Sequence, residues 1–589
     1  MLTNKSKRLA LWLLCSIFFH INIFAQEKQE EQEEQEIIEH YGDRYVINVG
    51  AMHPDKEMTL MDVLQTCPEL LSPNGKRLAA DYEIWVDNVT LPMDDETLLE
   101  AWKASEIEQV EVYLYSAVAT GGAGRGGTIN LYLKEQEAGT TTGKLMLEGS
   151  TRGNGKAYTD IISRTGNVTL RGYALSNLEH VKGPLTEYDR FSSRRGIENV
   201  HLNLDWNISD NDNLKVKLFQ AFVDSKHKIS DDEGTSLTIP EMLRNWNGVA
   251  SYTRTLNAQG ATLLSELGAD YQNTSIESVQ MQDCYTYFFT EAAVPLLNND
   301  LSILAGWEID YYNSWVRDDD RHQTMFNDLY LQLDYAKGPW VFSLGDRFRM
   351  INFWHRTYST ADGSLWNKSR TEHSYLASAG YKAGRHFVQG LFSRDYITPT
   401  IYMFYVGYDE KMRRRIYLTD VPTNKFYNAE GRYTYQNPGL IVIGSLLHTW
   451  THNAPVYEER YTGVRASVTW RKGCFRLTAG ADYFHGYAKG KESDIEKHDN
   501  FFNVRLLPTL QLNGGWRISS KLLYHSRRYL PMEIHPHFYA SVKVSKDLGR
   551  HCTLSAEMHD MAGTPRMSLL EIGSSYDSRA LTLGFSYRF

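Results

Sequence analysis

The sequence predicts a mainly β protein: an antiparallel transmembrane β-barrel of about 22 strands with a small α+β domain ahead of it. Three observations carry this. The last nine residues alternate without a miss, with Leu581, Leu583, Phe585, Tyr587 and Phe589 on one side and Thr582, Gly584, Ser586 and Arg588 on the other. Successive strand side chains point to opposite faces, so this is a strand with one apolar face. The same period recurs through the second half of the chain. Tight turns there alternate with mostly long polar stretches, as in barrels that have short turns on one side of the membrane and long loops on the other.

Residues 1–25 read as a signal peptide, with Lys5, Lys7 and Arg8 ahead of the apolar run Leu9–Phe24 and a cleavage site near Ala25. An uncleaved anchor is the alternative. Cleavage would take the formal charge from -10 to -13, which argues against a nucleic-acid partner. Residues 26–40, nearly all Glu and Gln at first, are too polar to bury anything and read as a periplasmic tether. The mature chain keeps Cys67, Cys284, Cys474 and Cys552, too scattered for a disulfide framework or a zinc site.

Residues 41–138 read as the small domain. Tyr45–Val49 alternates as a short strand; Thr59–Pro68 has apolar residues at helical spacing behind a Thr59 cap, and Pro68 stops it. Tyr82–Asp87 is a strand, Asp94–Ser105 a helix with acids in its first turn, and Ile107–Tyr113 a strand. A glycine cluster follows, Gly121, Gly122, Gly124, Gly126 and Gly127, then the strand Thr128–Lys134 with Ile129 and Leu131 facing a core. The cluster is not a phosphate loop, because a strand follows it where anion binding needs a helix N-terminus. Such density points to positive backbone dihedrals or to close packing on another backbone, expected to be a barrel wall.

The order of these motifs resembles the plug domain of TonB-dependent outer-membrane receptors, of a Bacteroidota-like kind. The residues that carry the resemblance are the helix ending at Pro68, Ile84-Trp85-Val86-Asp87, Ile107-Glu108-Gln109-Val110-Glu111-Val112, and Gly126-Gly127-Thr128-Ile129-Asn130-Leu131. The plug signature is thus Asp87, Glu108, Glu111, the five glycines, Ile129 and Asn130. Asn88 stands where the family usually has glycine, and Pro68-Glu69 where it usually has Pro-Gly. The chain ending, with Tyr587 and Phe589, is typical of the family's barrels and serves as their assembly signal. The resemblance implies uptake of a scarce, bulky nutrient such as a siderophore, haem or a glycan. It also implies a periplasmic TonB-type energy-coupling protein and the barrel-assembly machinery as partners, and the Gram-negative outer membrane as the location. No clear coupling box lies between Gln26 and Val49, which leaves open a structural or adhesion barrel without energy coupling, or a passive or gated pore.

Residues 139–589 read as the barrel. Ten tight turns, at 165–167, 210–212, 258–260, 298–300, 337–339, 383–385, 437–439, 472–473, 513–515 and 548–550, imply ten hairpins. A first strand at Lys144–Ser150 and a last at Leu581–Phe589 bring the count to about 22, a barrel wide enough to need a plug. Val181–Arg195, Asp224–Glu241, Asn352–Glu372 and Tyr402–Asn424 read as long loops. In Leu440–Trp450 both faces are partly apolar, and alternation does not assign the register.

The 37 tyrosines suit a membrane-water boundary, where a ring with one apolar and one hydrogen-bonding end is at home. The pairs His535/His537 and His448/His452 offer two ligands each, too few for a metal or haem. The basic run Lys411–Arg415 is a candidate contact for lipopolysaccharide phosphates, or else a solvated loop face. No metalloprotease helix, serine elbow or cysteine-histidine set is present, so neither enzyme activity nor a cofactor is expected.

Overall fold

A computed structural model describes residues 36–589 except 55–57, 69–81, 88, 91–98, 100–101, 115–126, 185–189, 231–235, 277–278, 317–319, 358–364, 398–407, 410–413, 416–423, 453–456, 491–495, 528–535 and 562–578. The leader, most of the tether, and Gly121, Gly122, Gly124 and Gly126 therefore lie outside the described residues.

The small domain is a six-stranded mixed sheet of β1 (Ile38–His40), β2 (Arg44–Asn48), β3 (Tyr82–Val86), β4 (Val89–Thr90), β5 (Ile107–Leu114) and β6 (Gly127–Leu133), in the order β1-β2-β5-β6-β3-β4. Residues 38–40, read from sequence as tether, form its edge strand. All pairings are antiparallel except β3 with β6. Helix α1 (Leu60–Leu64) starts at Thr59 as expected. The Thr59 Oγ1 accepts the Asp62 N–H at 3.2 Å and the Asp62 carboxylate accepts the Thr59 N–H at 2.9 Å, a reciprocal cap. The expected helix Asp94–Ser105 falls mostly outside the described residues, and Ala104–Glu106 is a single 3-10 turn.

Twenty-two antiparallel strands close into the barrel, from β7 (Thr141–Ser150) to β30 (Ala580–Arg588), which pair with each other. All ten tight turns fall between consecutive strands on one end of the barrel. The closure extends to the last residue: Phe589 and Gly143 exchange backbone hydrogen bonds at 3.0 Å. A Cβ on Gly143 would lie 2.1 Å from the Phe589 ring, so that glycine makes room for the terminal aromatic.

Outward positions near the turns are apolar and exposed, among them Leu202, Leu218, Leu329, Leu331, Leu344, Leu446 and Leu583, with Trp206, Trp340, Trp470 and Trp516 at the turn-side margin. Apolar side chains outside and polar ones inside, with no open edge, are the architecture of an outer-membrane barrel, and the turn side is the periplasmic one.

The expected long loops are largely strand. β9 (Val168–Pro184) and β10 (Arg190–Ser209) leave only 185–189 between them, and β11 (Asp212–Ser230) and β12 (Ser236–Thr255) leave only 231–235. β17 (Trp340–Thr357) and β18 (Leu365–Ala383) are separated by 358–364. A 20-residue strand tilted at 35–45° rises roughly 50 Å, about twice the apolar band, so its upper half stands in water on both faces. The backbone there still pairs, but no apolar face remains to give an alternation. Within 402–424 the described residues form a two-stranded ribbon, β20 (Tyr408–Asp409) with β21 (Arg414–Arg415), apart from Asn424, which begins the next barrel strand.

Candidate functional site

The small domain sits inside the turn-side end of the barrel, as a plug. Its own core and the inner wall form a single apolar cluster. Ile38, Ile47, Val49, Leu60, Leu64, Trp102, Val110, Ile129 and Leu131 are buried together with Met146, Tyr158, Tyr173, Leu175, Leu376, Ile441 and Ile443 of the wall. This settles the ambiguous stretch 440–450: in β23 (Leu440–His452), Ile441, Ile443 and Leu447 face inward and Leu446 outward. Both faces are apolar because one meets lipid and the other meets the plug.

Polar contacts ring the plug, and most run from wall side chains to plug carbonyls. The Ser378 hydroxyl donates to the Gly42 carbonyl, and Gln389 donates to the carbonyls of Gly42 at 2.9 Å and Tyr41 at 3.1 Å. Arg471 holds the carbonyls of Met52 and His53 at 3.0 and 2.9 Å, Ser467 that of Thr66 at 3.0 Å, and Lys217 that of Val86. Gln332 donates to Asp43 at 2.8 Å. Guanidinium groups of the wall also lie over plug rings: Arg432 is 4.5 Å from the Tyr45 centroid and Arg171 is 5.8 Å from that of Trp102.

Two ion pairs add charge to the ring. Arg517 meets Asp62 at 3.2 Å, and Lys144 meets Glu106 at 3.6 Å. Burial pushes the Asp62 carboxyl up, but Arg517, Arg476 and the Thr59 N–H outweigh it and hold the group well below the usual carboxylate range. Glu106 is lowered in the same way, its burial outweighed by Lys144 and the Lys103 N–H.

The edge strand β1 is held from outside its sheet. The Gln436 side-chain amide, next to a turn, accepts the Ile38 N–H at 2.8 Å and donates to the Ile38 carbonyl at 2.6 Å. One side chain thus covers both outward backbone groups of Ile38 on the open edge of the strand. Beside it His40 stacks on Phe387, with centroids 4.1 Å apart and planes at 9°. Burial and then the nearby Arg432 and Lys382 lower its pKa well below the usual histidine value, so the ring is neutral at pH 7. Sequence alone had no signal for Gln436, Gln389 or Ser378, because a lumen-facing polar residue in a strand looks the same whether it meets a plug or water.

Plug backbone comes against the wall at Gly42, in the β1–β2 turn. A Cβ there would stand 2.3 Å from Ser343 Cβ and 2.8 Å from Ser343 N. The glycine loop was the expected place for such a contact. Gly127, its described member, instead has a φ of 119°, a conformation that side chains disfavour.

The other signature residues divide between inside and outside. Asp87 has a φ of 48°; its N–H donates to Leu131 O at 2.8 Å and its carboxylate accepts the Leu133 N–H at 3.2 Å, closing the end of the β3–β6 pair. Glu111 is buried, accepting Tyr113 and Tyr132 hydroxyls at 3.0 and 3.2 Å and meeting Arg44 at 3.6 Å. Glu108 lies at a bulge and is exposed. Ile129 and Asn130 are buried in β6, with Asn130 opposite Glu111. Tyr587 and Phe589 face outward on the closing strand.

Among the described residues, no histidine joins a cluster of three or more His, Cys, Asp or Glu that could hold a metal ion. His448 and His452 lie on the outward face of β23, the first bound to Thr462 at 2.7 Å and the second 3.9 Å from Glu458. His535 lies outside the described residues, as do 411–413 of the basic run.

No protein-family model matches the chain, and no curated protein sequence matches it. Solved structures do, over almost its whole length. The siderophore receptor PiuA from Acinetobacter baumannii is 12% identical with a TM-score of 0.68, covering 96% of this chain and 99% of that one. The ferric yersiniabactin uptake receptor FyuA from Yersinia pestis is 14% identical with a TM-score of 0.66, covering 93% and 98%. The copper transporter OprC is 11% identical with a TM-score of 0.70, covering 93% and 99%. At these identities the likeness is one of fold.

Proposed function

We propose that the chain is an outer-membrane transporter that takes up a scarce, bulky nutrient, such as a siderophore, haem or a glycan, through its plugged barrel. The observation that carries this reading is the way the plug is held. A folded domain fills the turn-side lumen, and its first strand lies at the periplasmic mouth, fastened by Gln436. A passive pore has no use for such a stopper, and an adhesin has no use for a handle on it. In the proposed cycle, ligand is captured on the outer side, and a periplasmic TonB-type partner draws on the tether ahead of Ile38. The bonds of Gln436 to β1 would be the first under load.

The test is a pulldown of the periplasmic coupling protein with a peptide spanning residues 26–49, together with uptake by cells with and without that protein. Binding and coupling-dependent uptake are the expected results. No binding, with large ion conductance of the intact protein in planar bilayers, would replace the reading with a gated pore. No binding and no conductance would leave an uncoupled structural barrel.

A further inference from the structure

A block of cations stands on the outward face of β10, β11 and β12, with Arg194, Lys226 and Lys228 above the apolar band and Arg244 four residues nearer the turns, at its upper edge. In register, Arg194 lies opposite Lys226, with Lys228 two residues further out; Phe222 lies opposite Arg244. Even-numbered residues of these strands face outward, as the exposed Leu202, Leu218 and Trp246 show. Arg194, Lys226, Lys228 and Arg244 are all exposed. None forms an ion pair or hydrogen bond among the described residues; Arg244 alone has a partner, its guanidinium 5.6 Å from the Phe222 centroid. Glu198 and Asp224 share this face, so two positive charges stay uncompensated.

Two features make this more than a wet surface. Like charges directly opposite each other on neighbouring strands destabilise a sheet, so the bare barrel gains nothing from Arg194 facing Lys226. The height is also particular. Arg194 is twelve residues above the turn-side Trp206, or about 30 Å at the rise of a tilted strand, just past an apolar band of about 25 Å. Headgroup phosphates lie at that level. Beneath Arg194, Lys226 and Lys228, the side chains of Val200, Phe222, Met242 and Trp246 offer an apolar surface for acyl chains, with Arg244 level with Phe222.

We propose that Arg194, Lys226, Lys228 and Arg244 form a site for the phosphate groups of an outer-leaflet glycolipid, bound on the outside of the barrel with its chains against Phe222, Met242 and Trp246. Arg194 and Lys226, opposite each other in register, and Lys228 two residues on offer phosphate charge-assisted hydrogen bonds, and the lipid anion relieves the Arg194–Lys226 repulsion. The site is independent of what the lumen transports.

The test uses the full-length protein in non-ionic detergent, with bound lipid counted by native mass spectrometry. The probes are diphosphoryl lipid A, its dephosphorylated form, and inorganic phosphate. The expected results are binding of the diphosphoryl lipid, at least tenfold weaker binding of the dephosphorylated one, and no competition by millimolar phosphate. Arg194→Ser/Lys226→Ser/Lys228→Ser should weaken lipid binding at least tenfold, and Arg254→Ser, an outward cation at the turn side, should leave it unchanged. Lys226→Gln, which removes the charge and keeps a polar, hydrogen-bonding side chain, serves if the triple variant does not insert, with a several-fold loss expected. Equal binding by parent and Lys226→Gln or the triple variant overturns the site. Equal binding of both lipid forms overturns the phosphate chemistry, and displacement by inorganic phosphate overturns the lipid.

Discussion

Gly42→Ala tests whether the plug is held by the fit of its β1–β2 turn to the wall. The new Cβ would fall 2.3 Å from Ser343 Cβ, 2.8 Å from Ser343 N and 2.9 Å from Phe342 C. Two of these are backbone atoms of a strand paired on both sides, with Ser343 opposite Asp334 and Ser378. The wall cannot give, so the turn must retreat by about 1 Å to reach ordinary van der Waals separation. That movement stretches the Ser378 and Gln389 bonds to the Gly42 carbonyl and the Gln332 bond to Asp43. Three such bonds at about 1 kcal/mol each, or an overpacking cost of about 1–3 kcal/mol reckoned directly, give the same scale. A loss of about 3 kcal/mol shifts the docking equilibrium roughly a hundredfold at 1.4 kcal/mol per decade. The barrel closes its own hydrogen bonds and should insert as the parent does. The assay is limited proteolysis of outer membranes with cleavage mapped in 38–48, paired with sensitivity to an antibiotic too large for an intact outer membrane. A variant that inserts at the parental level, protects 38–48 equally and excludes the antibiotic equally would refute the reasoning.

Three further outcomes are expected. Leu331→Arg and Leu583→Arg place a charge in hydrocarbon and should cost about 2–4 kcal/mol near the midplane, read as a lower urea midpoint of refolding into bilayers. Thr582→Arg, on the inner face of the closing strand, should cost much less; Gln332, also inward, is no neutral control, because it is buried against Asp43. Gly127→Val forces a side chain into a φ of 119° and should loosen β6 within the plug at about 1–3 kcal/mol while the barrel still forms; unchanged protease protection of the plug would exclude that constraint. His40 has a folded-state pKa below its unfolded value, so its contribution to docking is present above about pH 6.5 and falls as the unfolded form takes up the proton first. Labelling of a cysteine placed at Glu36 should rise between pH 7 and 5.5 in the parent and stay flat in His40→Phe; identical pH profiles would show that His40 does not help hold β1.

What could be read from sequence follows the solvent each face meets. A strand crossing lipid needs an apolar outer face and a tight return, and both are written in residue types: all ten turns and the two closing strands fall where alternation and Gly, Asn and Pro put them. Asp224–Glu241 reads as loop because, with water on both faces, nothing selects one residue type over another. Its described residues, 224–230 and 236–241, still fold as strand since their backbone must pair. The plug signature was readable as a pattern, yet it did not say which member does what. Glu108 and Glu111 lie three apart and so on opposite faces of the strand; the bulge at Glu108 takes that residue to solvent instead of the core face of Val110 and Val112, while Glu111 meets Tyr113 and Tyr132.

β23 shows why the inner surface resists reading more than the outer one does. In most barrel strands the lumen face is polar, and Leu against Ser or Thr gives the register at once. Where the plug core reaches the wall, the lumen face must be apolar as well, so Ile441 and Ile443 erase the contrast with Val442 and Leu446. The lost alternation is itself information. In a barrel that holds a folded domain, a strand apolar on both faces marks where that domain touches the wall, whereas a polar plug contact such as Gln436 or Gln389 leaves no trace. On this argument Ile443→Asn should weaken plug docking and leave the barrel intact, since Ile443 is fully buried against the plug and removed from lipid. Leu446→Asn, three residues on, should do the reverse and lower refolding into bilayers without exposing 38–48 to protease. If both substitutions impair the same step, the two faces of β23 have been assigned wrongly.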